Sequence, residues 1–230
     1  MVSSNPSREQ LSGIRQWLLG TLEAGFSLEA VPQLESLISD GGIANQLMGI
    51  VCVGIEKPLI KMSIQCLSIL AEILTKFQLF ELISNYLNLL KSFENFWSSI
   101  ISIIHSTEES GMSRIQSIGL LVKAFTLNTP EAGSTVDWPP RVFDSNTLDS
   151  CISLLMSTGG DPGNNLIQFI HLNFVHNKNN FIFKIKNNSK LIFILIEISS
   201  QFKFKNSSLI YELIDLNSNT IYPELVTLIS

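Results

Sequence analysis

Cysteine is sparse in this 230-residue chain, and Cys52, Cys66 and Cys151 stand far apart, each inside an apolar segment. No CxxC or Cys/His ligand spacing occurs, which excludes a disulfide framework and a thiolate zinc site and leaves small core residues of a reducing compartment. Histidine is equally thin. His171 and His176 are five apart with no acid beside them, and His105 is alone, so neither a zinc-protease helix nor a catalytic triad is encoded. Charge is low, at 15% of residues against 45% apolar, and the formal net charge is −5. No run of Lys or Arg interrupts the first 170 residues, which argues against a basic face tracking a phosphate backbone and hence against nucleic acid as a partner.

Long hydrophobic runs are missing as well. Ile43 to Ile55, the longest uncharged apolar stretch near the start, falls short of the ~20 residues of a spanning helix, so no membrane span is expected. The opening MVSSNPSREQ is polar and carries both signs of charge, unlike a basic leader followed by an apolar core. Gly159-Gly160-Asp161-Pro162-Gly163 lacks the Lys and Ser/Thr of a phosphate-binding loop, and the neighbours Glu108 and Glu109 are too close in sequence to face one another as paired catalytic carboxylates. No catalytic constellation, cofactor or small-molecule substrate is therefore expected, and the chain reads as a non-enzyme.

What the chain does have is a succession of apolar stripes at helical spacing. In Pro58 to Phe77, Leu59, Cys66, Leu67, Leu70, Ile73, Leu74 and Phe77 recur at three- and four-residue steps opposite Lys61, Gln65, Ser68, Glu72 and Lys76. Similar helices are expected at Ser7–Ala24, with Ser7 and Gln10 at capping-box spacing, and at Ser27–Ser39, with Ser27 as cap and Asp40-Gly41-Gly42 as stop. Further ones follow at Ile43–Ile55, Gln78–Lys91, Glu94–His105, Met112–Asn128 and Asn146–Met156. No Gly or Pro parts the fourth from the fifth, so a bend near Phe77 is inferred from the change of phase alone. Short joints between helices of similar length predict an all-α fold, a right-handed α-solenoid of HEAT- or armadillo-like helix pairs.

Within it, Trp17, Leu67, Leu70, Phe96, Trp97 and Phe125 are the expected structural anchors. The proline-rich Thr129 to Asp144 is a loop, in which Trp138 either docks a partner or pins the loop to the helices. After about His171 the composition changes: Gly, Ala and Arg vanish and Phe, Ile, Asn, Lys, Leu and Ser dominate. This divides the chain into a helical segment, 1–170, and a distinct tail, 171–230. FIFKIKNN and KLIFILIEISSQFKFK have strand-like patterns. The tail is an extension with strands or helices, a disordered segment, or translated A/T-rich non-coding sequence, the last being what its composition favours.

The order of features from Ser63 to Asn128 carries a resemblance. CLSILAEIL is followed by a second helix, then by Phe96-Trp97 with Ser98-Ser99-Ile100 where an FWxxL unit would stand, then by IQSIGLLVKAFTLN ending at Asn128. This resembles the large inner-ring scaffold nucleoporins, the 188/205 family. The resemblance implies an interior piece of a longer solenoid, placed at the nuclear envelope in the nuclear pore complex, binding other nucleoporins and supporting nucleocytoplasmic transport without catalysis. The alternative is a cytoplasmic HEAT- or armadillo-like adaptor that binds an extended peptide.

Overall fold

The computed structural model describes residues 6–25, 27–54, 56–93, 95–127, 142, 144–158 and 165–176. All regular structure among them is helical. The chain forms two compact units, residues 1–142 and 143–230, the second starting well before the compositional change.

The first unit holds α1 (Arg8–Ala24), α2 (Val31–Ile38), α3 (Ile43–Val53), α4 (Lys57–Lys76), α5 (Phe80–Ser92), α6 (Phe96–His105) and α7 (Gly111–Leu127). α1 starts where the sequence signals it: Gln10 N–H donates to Ser7 Oγ, and Ser7 N–H donates to Gln10 Oε1 at 2.7 Å. Ser27, by contrast, does not cap α2. The chain first makes a 3-10 turn, Leu28–Ala30, with Ala30 N–H on the Ser27 carbonyl, and α2 begins only at Val31. Pro32 explains the delay. In a helix running from Leu28 its ring would meet the Leu28 carbonyl one turn back, whereas in the first turn of α2 its missing N–H has no cost.

The bend near Phe77 has a defined form. Leu79 N–H reaches back to the Leu74 carbonyl and Gln78 N–H to that of Thr75, closing α4 with a Schellman motif. Gln78 takes the left-handed position usual for glycine, with φ 52°, and is the one positive-φ non-glycine among the described residues. The helices therefore part without the Gly or Pro that a sequence reader looks for.

α4 is the hub. Ile64, Cys66, Leu67, Leu70, Ala71, Ile73 and Leu74 are all at most 2% exposed, and each large one adds about 1.5–3 kcal/mol by leaving water. α4 packs against α1, α3, α5 and α7. Its neighbours recur with a step of three helices: α1 lies on α4 and α4 on α7, α2 on α5, and α3 on α6. Equivalent helices start at Arg8, Lys57 and Gly111, at Val31 and Phe80, and at Ile43 and Phe96, so packing partners recur about 50 residues apart.

Cross-ties fix the directions. Cys66 Sγ approaches the Leu11 carbonyl and Lys76 Nζ donates to the Leu22 carbonyl at 2.7 Å, so α1 and α4 run parallel. Lys57 pairs with Glu109 at 2.9 Å, just before α7, and Lys123 pairs with Glu72 at 2.6 Å, so α4 and α7 do the same.

In the second unit α8 (Ser145–Thr158) packs on α9 (Asn165–His176). Asp144 caps α8, its carboxylate accepting from Thr147 N–H at 2.7 Å. α9 escaped the sequence reading, and the expected compositional boundary at His171 falls inside it. The loop at Thr129–Asp144 and the Gly159–Gly163 turn lie outside the described residues, apart from Val142 and Asp144, as do both strand-like stretches of the tail.

Candidate functional site

α2 and α5 pack against one another, and the cleft between them has a volume of about 740 Å³. Its floor is apolar, made by Ile38, Leu82 and Leu89, each inward on its own helix. Its walls are polar. Glu81, Asn85, Asn88 and Ser92 follow one another along α5 at four- and three-residue steps, forming one exposed stripe, and α2 faces it with Glu35 and Ser39, ending at Asp40.

Among the described residues no Lys, Arg or His lines this groove. Neither Glu35 nor Glu81 has a salt bridge among the described residues, and Asp40 accepts only from Asn45 Nδ2, at 3.2 Å. The partial negative charge of the α2 C-terminus adds to the same field. The acids are not gathered tightly enough to hold a metal: among the described residues no group of three or more His, Cys, Asp or Glu has that arrangement. What the groove offers is a row of carboxamides and hydroxyls beside unneutralised carboxylates, suited to hydrogen-bonding a polar chain that carries positive charge.

The expected anchors are distributed as follows. Leu67 and Leu70 are buried on α4, and Phe96 and Trp97 are buried at the start of α6, their rings edge to face at 5.1 Å and 67°. Phe125 is half-buried on α7, and Trp17 is half-buried at a second cleft of about 490 Å³ between α1 and the start of α2. Trp138 lies outside the described residues. The structure does not gather these residues into one site. The spacing of Glu81, Asn85 and Asn88 marks a polar helix face in the sequence, but only the position of α2 turns that face into a groove wall.

Neither Cys52 nor Cys66 lies in an activating environment. Burial raises the Cys66 thiol to about 11, and burial raises Cys52 as well, partly offset by a hydrogen bond with Ser99. Glu9 is held below the usual carboxylate range by the backbone N–H at the start of α1 and by the Ser7 hydroxyl. Lys57 is raised by its hydrogen bond and attraction to Glu109.

By length and composition α4 could cross a membrane, as could the stretch Val31–Val53. That stretch, however, is broken between α2 and α3 by the turn at Ser39–Gly42, and α4 has protein packed along it from four helices. Compared with known protein families, with curated proteins and with solved structures, the chain gives no match. Among the described residues the fold is all-helical, and its surface offers the α2–α5 groove.

Proposed function

We propose that the chain is a non-enzymatic protein-binding scaffold built as a helical solenoid, in which triplets stack so that each first helix lies parallel along the next. The observation that carries this reading is the recurrence of packing partners at every third helix, α1 on α4 on α7, α2 on α5 and α3 on α6. Stacking of this kind leaves long lateral grooves and open ends, which suit extended protein segments better than small substrates. In this reading α4 is the core of the stack and spans no membrane, and nucleic acid is not a partner.

The resemblance of residues 63–128 to the inner-ring scaffold nucleoporins gives the scaffold a place, the nuclear pore complex, with other nucleoporins as partners and nucleocytoplasmic transport as the process served. The test is the position of the tagged full chain in cells: a ring at the nuclear rim supports the assignment, and a signal spread through the cytosol counts against it. The second reading, a cytoplasmic adaptor for an extended peptide, is favoured by the Glu81–Asn85–Asn88–Ser92 stripe facing α2.

A further inference from the structure

We propose that the groove between α2 and α5 binds a short, extended, lysine- or arginine-bearing protein segment. The inference rests on the protein-binding reading above and names the partner's chemistry. Three features of the groove select this occupant. Its length comes first: the stripe from Glu81 to Ser92 covers eleven residue steps of helix, about 16 Å, which matches about five residues of extended chain.

The second feature is the pair Asn85 and Asn88. Both are exposed, and neither side chain has a hydrogen bond among the described residues. A carboxamide offers a donor and an acceptor side by side, the combination that an extended backbone needs and that a helix, already bonded internally, cannot use. The third feature is charge. Glu35, Asp40 and Glu81 line the groove without a cation among the lining residues, and the C-terminal end of α2 adds to their field. Because side chains alternate along an extended segment, every second residue faces the groove, where Lys or Arg would meet a carboxylate and an aliphatic stem would cover Leu82 and Leu89. A metal ion is the competing cationic ligand, and the spread of the three carboxylates disfavours it.

The test uses the full 230-residue chain and a fluorescein-labelled nine-residue peptide with lysine at alternate positions and serine between, followed by fluorescence anisotropy. The control peptide has glutamate in place of lysine. Saturable binding of the lysine peptide and none of the control is expected. Glu35→Gln and Glu81→Gln should each weaken it about two- to fivefold, an effect that shrinks as salt is added. Asn85→Ala with Asn88→Ala should weaken it about tenfold or more at every salt concentration, because those contacts are made to the peptide backbone. All four side chains are exposed, so the variants should keep the wild-type circular dichroism.

Equal binding of both peptides, no binding at all, or binding untouched by these substitutions in folded variants would overturn the inference. Amide hydrogen exchange separates its failure from failure of the stacked-helix reading. If the groove is wrong but the stack is right, α4 remains the slowest-exchanging helix and α2 and α5 gain no protection from the peptide. If the stack is wrong, α4 exchanges as fast as the exposed helices with or without peptide.

Discussion

Replacing Gly42 by alanine tests the joint that sets α2 against α3, and with it the α2 wall of the groove. Gly42 is the N-cap of α3, with φ −68° and ψ 177°, a conformation open to any residue. Its reason for being glycine is steric. A Cβ there would stand 2.6 Å from the Ser36 carbonyl oxygen, 2.7 Å from that of Leu37 and 2.8 Å from that of Ser39, all backbone atoms that cannot rotate away. The end of α2 must shift, and the 2.8 Å hydrogen bond from Gly42 N–H to the Ser39 carbonyl must stretch. Forcing a methyl into a filled space costs about 1–3 kcal/mol. At about 2–4 °C per kcal/mol for a chain of this size, Gly42→Ala should melt about 2–12 °C lower. The neighbouring Gly41 has φ 74° and open space around its Cβ, so Gly41→Ala should cost about 1–2 kcal/mol from backbone conformation alone. Gly13 lies mid-helix in α1 with nothing within 4 Å of its Cβ, and Gly13→Ala should stabilise by about 0.5–1 kcal/mol. Thermal melts read by tryptophan fluorescence report the first unit through Trp17 and Trp97, which belong to it. Wild-type stability in Gly42→Ala, or a loss in Gly13→Ala larger than that in Gly42→Ala, would refute the placement of this turn.

Gln78→Gly should leave stability unchanged or raise it by up to about 1 kcal/mol in urea unfolding, because glycine occupies the left-handed position without steric cost while loosening the unfolded chain. Tyr86→Phe removes the buried hydroxyl that donates to the Leu67 carbonyl at 3.1 Å and should cost about 1 kcal/mol, whereas Trp97→Ala empties a site that is 4% exposed and should cost about 3–5 kcal/mol by the same assay. Lys76→Met should cost about 0.5–1 kcal/mol, since the ammonium satisfies a carbonyl in the last turn of α1 that otherwise turns to water. The Cys66 thiol, raised from 9.0 to about 11, keeps its proton in the folded protein where the unfolded chain has lost it, so stability holds below about pH 9 and falls between pH 9 and 11; a Cys66→Ala variant melted across that range should show a shallower decline.

The helical content was legible because each stripe, such as Leu67, Leu70 and Leu74 on α4, obeys the helix period over enough residues to leave no competing strand reading. Starts were legible where a side chain makes the cap, as at Ser7, and misread where proline governs, as at Ser27 and Pro32. α9 is hard to see in the sequence because Asn165 to His176 straddles a change in composition, which obscures the helical spacing of Leu166, Phe169 and Ile170. The order in which the helices pack was illegible for a different reason. Which helix packs on which is decided between residues about 50 apart, and the ties that record it, Lys57 with Glu109, Lys76 with Leu22 and Lys123 with Glu72, carry no local pattern. The groove shares that fate, since the α5 stripe looks like any solvated helix face until α2 stands opposite it.

The placement of charge in the first unit follows from the central position of α4. A helix flanked on several sides buries most of its surface and has little room for ionic groups in its middle. Its cations accordingly sit near its ends, Lys57 and Lys61 at one and Lys76 at the other, where Lys57 and Lys76 reach across to neighbouring segments. Arg114 of α7 repeats the device, its Nε donating at 2.8 Å to the Ile104 carbonyl in the last turn of α6. In each case a cation from one helix satisfies or neutralises the end of another segment, using charge as a joint between helices and leaving little of it for a ligand. The α2–α5 groove departs from this economy. Among the described residues Glu35 and Glu81 tie no helices together, and the polar stripe beside them lies on a helix whose opposite side, Ile83, Tyr86, Leu87 and Leu90, already supplies its burial. Polar groups that the fold does not use are where a partner is to be sought, and here they share one sign and one line.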